Sequence, residues 1–308
     1  MSGPRADGLV HSIQDRLKNE AHATNRPFVE ILEFFTVERF LHRLGRSQHR
    51  DRFVLKGALL LRHWLGADTR PTRDIDLLGP IDLDTERLRA LIGEILRVEV
   101  EDDGLEFDLE SISVRSIRLE SPVLGSRARF GAHLGRTRLH YQIDVGQGDV
   151  VFPPTQDVIP GGLLGMPMAS VRAYTPYTTV AEKLEAMVVL GNANSRLKDY
   201  YDLATLPARL AFDGPTLVES IRRTFGRRAT RIPDEPLEGL TDSFAREPIN
   251  STRWRAFLGK GGLRAVSSDL VEIVAGIRRF AQPVLDAARE DIAFRQQWPA
   301  GGPWKAAS

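Results

Sequence analysis

Apolar residues near the start of the chain recur at three- and four-residue steps. Val10, Ile13 and Leu17 predict a short amphipathic helix over residues 9–22. Phe28, Ile31, Leu32, Phe35 and Leu41 predict a second, opened by Pro27 at a favoured first-turn position and closed at Gly45. The run Phe53-Val54-Leu55, the break Lys56-Gly57-Ala58 and the apolar stretch to Leu65 read as strand, turn and helix. Residues 74–78 read as a strand stopped by Gly79-Pro80, and the stripe Leu88, Leu91, Ile92, Ile95, Leu96 predicts a helix over 84–97. A period of two marks strands at Leu105, Phe107, Leu109 and at Leu139, Tyr141, Ile143, Val145. Between residues 153 and 170 prolines and glycines crowd too closely for a long element, which predicts a linker. Helical spacing then returns, in Val180, Leu184, Met187 and Val188 up to Gly191, and from Ser195 to Leu206 ahead of Pro207. The expected organisation is α+β: a mixed sheet-and-helix unit over residues 1–155, a mainly helical unit over 156–296, and a flexible tail over 297–308.

Composition narrows the class. A chain of 308 residues, 42% hydrophobic and 27% charged, has the make-up of an ordinary globular protein and not of a disordered one. With no cysteine it has no disulfide framework, thiolate metal site or cysteine nucleophile. The net charge of +1 conceals segregation, since residues 81–110 hold eleven acids and three arginines whereas residues 111–140 hold six arginines and one acid. The opening Met1-Ser2-Gly3-Pro4-Arg5 lacks a secretory apolar core, and no apolar run approaches the ~20 residues of a membrane span. A cytoplasmic protein with no membrane partner is expected.

Candidate chemistry gathers in a few segments. Asp74 and Asp76, two apart on a strand, project from one face about 7 Å apart at the backbone while Ile75 and Leu77 pack behind them. Carboxylates so placed can bridge magnesium or manganese ions, although Asp-x-Asp alone equally describes a solvated strand end. Gly57, between strand and helix, is either a plain tight turn or a bend whose bare backbone lets amides approach phosphate at a helix N-terminus. Arg138, His140, Gln142 and Asp144 share the polar face of their strand, and Asp144 there is a surface aspartate or the third acid of a two-metal transferase. Lys183 is a solvated helix lysine or a point charge for a triphosphate. Arg196, Lys198, Asp199 and Asp202 are local salt-bridge partners on one helix or part of a site. Arg222, Arg223, Arg227, Arg228 and Arg231, with no acid among residues 221–231, form a solvated helix end or a grip for a nucleic-acid backbone. The histidines show no zinc-hydrolase spacing and no serine lies in a G-x-S-x-G elbow.

Taken in order, residues 53–62, 70–79, 142–149, 180–187 and 194–203 resemble the AbiEii/AbiGii toxin family of nucleotidyltransferases, over a stretch from about residue 25 to about 285. The resemblance implies a polymerase-β-like nucleotidyltransferase core followed by a helical C-terminal domain. It implies transfer of NMP from an NTP with Mg2+ or Mn2+ to an RNA acceptor, the 3′ end of tRNA foremost, within a toxin–antitoxin or abortive-infection pair that includes a cognate antitoxin. By position it assigns Asp74, Asp76 and Asp144 to metal, adds Lys183 and Asp199 to the catalytic set, and gives Lys56, Gly57, Ala58, Lys183 and Lys198 to the nucleotide. Arg222, Arg223, Arg227 and Arg228 are the nucleic-acid candidates, along with arginines of residues 115–138. One departure is Ala58, where the wider superfamily has a serine after the glycine, so phosphate binding would rest on backbone amides and lysines. Two other functions fit the same residues: nucleotide transfer to a protein side chain, and a non-catalytic nucleic-acid or partner-binding module on a degenerate transferase fold.

Overall fold

The structure, a computed structural model, describes residues 4–66, 69–72, 74–118, 124–191, 196–261, 263 and 265–306. Two N-terminal helices, α1 (Pro4–Thr24) and α2 (Phe28–Arg46), pack against each other and lead into β1 (Val54–Lys56), α3 (Ala58–Leu65), β2 (Ile75–Gly79) and α4 (Thr85–Leu96). Asp84 caps α4 by accepting the Arg87 amide at 2.7 Å, and the whole predicted apolar stripe of that helix is buried. Three long strands follow, β3 (Leu105–Arg118), β4 (Leu124–Leu134) and β5 (Thr137–Gln147), then β6 (Gln156–Val158) and β7 (Val171–Ala173).

These strands make a seven-stranded mixed sheet in the order β3-β4-β5-β2-β1-β7-β6. β2 runs parallel to β5 and antiparallel to β1, and β1 runs parallel to β7. Alternation decides the faces: Ile75, Leu77, Ile143 and Val145 are fully buried with Phe35 and Phe40 of α2 and Leu91 and Ile92 of α4. The acids between those positions emerge on the opposite face. The stretch read as a linker, residues 153–170, instead joins the sheet through β6 and leads directly into β7. Its prolines and glycines shape the connection, and Gly162 and Leu163 donate their amides to buried Glu38.

The remaining elements are α5 (Pro176–Leu190), α6 (Leu197–Arg209), β8 (Phe212–Asp213), α7 (Gly214–Arg227), α8 (Asp242–Arg246), α9 (Pro248–Gly261), α10 (Leu270–Glu290), β9 (Gln296–Trp298) and β10 (Lys305–Ala306). They bury a second core around Leu184, Tyr200, Ile221, Trp254 and Phe280. Helix α3 serves both cores, with Leu59 and Leu60 in the first and Ala58 and Leu61 in the second. Helix α6 runs through Pro207 in its last turn, where the ring forgoes one backbone hydrogen bond, and the helix ends two residues later. The expected start of that helix at Ser195 lies outside the described residues.

The flexible tail expected over 297–308 is corrected for residues 297–306. Strands β8, β9 and β10 form a small antiparallel sheet. Trp298 donates its indole N–H to the Pro207 carbonyl at 2.8 Å, and Trp304 donates to Phe280 at 2.9 Å. Trp304 stacks on Phe280 and Trp298 meets it edge-on, and two indoles so placed bury too much apolar surface to remain in water.

Candidate active site

The site begins as a matter of register. Across the sheet, Lys56 pairs with Asp76, Asp76 with Asp144, Asp144 with Arg127, and Arg127 with Arg115. Paired residues in neighbouring strands point to the same face, so five charged side chains from five strands stand in one row. Asp74 lies one place off this row, where its Oδ1 accepts a hydrogen bond from Gln142 Nε2 at 3.0 Å. The row floors a cleft of about 1280 Å³ that also takes in Gly57, Ala58, Lys183, Lys198 and Asp199.

Gly57 holds φ +77° and ψ −158°, a backbone state that a side chain resists, and a Cβ there would overlap the Asp76 carboxylate. The bend and the acid therefore share one space. No side chain caps α3 at this end, and Gly57 and Ala58 line the cleft, so the positive end of the helix borders the acids. Burial, reinforced by the Asp144 and Asp74 charges, pushes Asp76 up to about 6 against the pull of Lys56 and Lys198. Asp74 is likewise raised, by burial first and Asp144 second. Carboxylates that repel one another in this way are the hard-oxygen donor set a divalent cation relieves, and Asp74 and Asp76 fit magnesium or manganese on that ground. Asp144 reaches the same row but presents both oxygens to Arg127, at 2.7 Å each. The expected trio thus shares one face without converging: among the described residues no three acidic or histidine side chains are grouped closely enough to hold one ion.

The lysines differ from the expectation of open phosphate ligands. Lys56 Nζ sits 3.0 Å from Asp149 and 3.0 Å from Glu182, above the Tyr174 ring. Burial works to lower its pKa, but Glu182, Tyr174 and Asp149 outweigh burial and hold it well above the ordinary value. Lys183 bridges Asp199 and Asp202 at 2.7 Å each, and Arg70 grips Asp202 through two bonds at 2.8 and 2.9 Å. Lys198 titrates lower than usual because burial and the neighbouring Arg196, Arg70 and Lys183 charges oppose its proton, Asp199 notwithstanding. Its charge in turn lowers Asp74 and Asp76.

The four arginines assigned to nucleic acid are not brought together as a patch. Arg228 is buried in the cleft wall on Asp149, Glu182 and Glu185. Arg222 holds Asp291 and the carbonyls at the end of α10, Arg223 pairs with Glu219 over the Phe152 ring, and Arg227 donates to the Gly148 carbonyl. Each closes a gap between elements that the sequence does not show to be neighbours. Arg70 and Asp149 are absent from the candidates read from the sequence, and Arg127 is among them only as one of the arginines of residues 115–138. For Arg127 a signal existed, because Ala128, Phe130, Ala132 and Leu134 alternate with Arg129, Gly131 and His133 as a strand does.

A family model for the AbiEii nucleotidyl transferase toxin of type IV toxin–antitoxin systems matches residues 39–275. The chain belongs to the AbiEii nucleotidyltransferase toxin family. Membership carries with it an NTP substrate and an antitoxin partner. Among solved structures, the AbiEii chain is similar to MenT4, a nucleotidyltransferase toxin from Mycobacterium tuberculosis. The two are 19% identical, the match covers 90% of this chain and 99% of the other, and the TM-score is 0.53. It also matches JHP933 from Helicobacter pylori, at 12% identity over 82% and 88% of the two chains with a TM-score of 0.43. No curated protein matches. The MenT4 match supports the nucleotidyltransferase toxin fold for this AbiEii chain. Among its described residues no helix is long and apolar enough to cross a membrane.

Proposed function

We propose that this AbiEii chain transfers a nucleoside monophosphate from an NTP to a hydroxyl of RNA, with the 3′ end of tRNA as acceptor and magnesium or manganese as cofactor. The observation that carries the reading is the register row: Asp76 and Asp144 side by side at the floor of a cleft, against a glycine bend and an uncapped helix N-terminus. Asp74 and Asp76, with Asp144 once Arg127 releases it, would hold the divalent ion, which when bound supplies charge neutralisation for the departing pyrophosphate and acidifies the attacking hydroxyl. The Gly57–Ala58 backbone and the end of α3 receive the triphosphate. Lys198 lines the cleft and its positive charge favours ionised Asp74 and Asp76, while Lys183 fixes α6 in place through Asp199 and Asp202. The acceptor oxygen attacks the α-phosphorus, the bond from that phosphorus to the pyrophosphate oxygen breaks, and the hydroxyl proton passes to Asp144. Arg115 and Arg129, exposed beside the row, are placed to hold acceptor phosphates.

The test is incubation of purified protein with total RNA and each α-labelled NTP, with magnesium or with EDTA. Label on tRNA that needs the cation and disappears in Asp76→Asn is the expected result. Absence of label with all four NTPs overturns the RNA reading, and label on protein moves the acceptor to a side chain.

A further inference from the structure

The cations that ring the cleft are not equivalent. Lys56 lies against Asp149 and Glu182, Arg228 against Asp149, Glu182 and Glu185, and Lys183 against Asp199 and Asp202. Each is locked by acids that stand outside the carboxylate row. Arg127 is different: its partner is Asp144, a member of the row, and the fork of its guanidinium occupies both Asp144 oxygens. A quarter of the Arg127 side chain is exposed, and it borders the cleft, which leaves it room to move. The next residue in the row, toward the sheet edge, is exposed Arg115.

We propose that Arg127 is a stand-in cation at Asp144: it holds the third carboxylate in place while no divalent ion is bound, competes with that ion, and on giving Asp144 up turns its guanidinium to the phosphate oxygens of the NTP. The inference rests on the metal-dependent transferase reading above. Two positive groups cannot both hold the same pair of oxygens at contact distance without repelling each other, and a triphosphate in the cleft offers the displaced fork the bidentate anion it lost. Arg127 is in this sense a positioning residue toward Asp144 and a binding residue toward the nucleotide. The device would keep the row from collapsing or repelling itself apart in the cation-free protein.

The test measures Mn2+ binding to the full chain directly, by electron paramagnetic resonance of free Mn2+, in wild type, Arg127→Gln and Arg127→Lys. Competition predicts that Arg127→Gln binds Mn2+ more tightly, by roughly tenfold, the scale of a charge-assisted hydrogen bond removed from the competing side. Arg127→Lys, which keeps the charge but not the fork, should fall between. At saturating Mn2+, both variants should bind a non-hydrolysable NTP analogue more weakly than wild type. Unchanged or weaker Mn2+ binding in a folded Arg127→Gln overturns the competition, and unchanged analogue binding overturns the transfer to phosphate. If wild type binds no Mn2+, the metal reading itself falls and takes this one with it. If wild type binds and the variants match it, this proposal alone is wrong.

Discussion

Two charged regions meet in the cleft and are built from the same residue types to opposite ends. In the wall formed by α5, α6 and α7, acids and bases are matched and buried: Lys56 and Arg228 with Asp149, Glu182 and Glu185, and Lys183 and Arg70 with Asp199 and Asp202. In the sheet row, Asp74, Asp76 and Asp144 outnumber the one guanidinium that contacts them, and two of the three are pushed toward protonation. Matched charges fix geometry; unmatched ones create demand for a cation. On the function proposed, the contrast separates scaffold lysines and aspartates from reagent ones, something that residue type alone does not reveal.

The sharpest way to break this contrast is Asp76→Asn, which should lower transfer by about 10²–10³-fold or more while melting temperature at pH 8 holds or rises. A large loss of melting temperature would move Asp76 to the structural side. Asp202→Ala should do the reverse, costing about 3–5 kcal/mol in urea unfolding because Arg70 and Lys183 are left buried beside an empty position. A small cost would mean that the wall is less tightly matched than its geometry indicates. Gly57→Ala should cost about 1–3 kcal/mol from backbone strain, and transfer should fall with it because the added methyl displaces the Asp76 carboxylate.

Asp76 of the row and Asp149 of the wall should also titrate with opposite signs, while burial raises Glu182 of the wall as it raises Asp76. Asp76, raised to about 6, favours the fold when protonated; that contribution is complete below the ordinary carboxylate value and is lost as pH climbs through about 6. Glu38, which burial pushes up to about 7 even though the Gly162 and Leu163 amides pull it down, acts in the same direction. Asp149, held at about 2 because Lys56 and Arg228 outweigh the effect of burial, contributes above the ordinary value and is lost as pH falls toward 2. Melting temperature without divalent ions should therefore fall from pH 5 to 7.5, and Asp76→Asn should flatten that limb while leaving the acid limb intact. Identical slopes in both proteins would remove Asp76 from the account. The smallest effect is expected at Arg223→Ala, about 0–1 kcal/mol, since its Glu219 partner is half-exposed and lies outside both regions.

Much of the sheet region was legible before any coordinates. The stripe on α4 and the alternation on β5 each dictate a buried face, and the alternation leaves Asp144 on the side opposite Ile143 and Val145. Local periodicity suffices there because each residue's environment is set by its own element. The wall was not legible. Arg70 finds Asp202 and Arg228 finds Asp149 only after α6 and α7 have packed, and nothing in the spacing of either arginine announces the partner. The contacts of the arginine run at 222–228 are hidden for the same reason, since a cluster in sequence dispersed to four separate jobs in space. The aromatic tail misled because Trp298 and Trp304 meet Phe280 only across the small sheet.

The parallel seam between β2 and β5 has one more implication, for a protein that harms its own cell. Were β5 to slide a single place along β2, Asp144 would no longer stand beside Asp76, although both strands would still be present. On the mechanism proposed, half-made chains still lacking β5, and misaligned ones, should be harmless, and toxicity should arrive only with the finished weave.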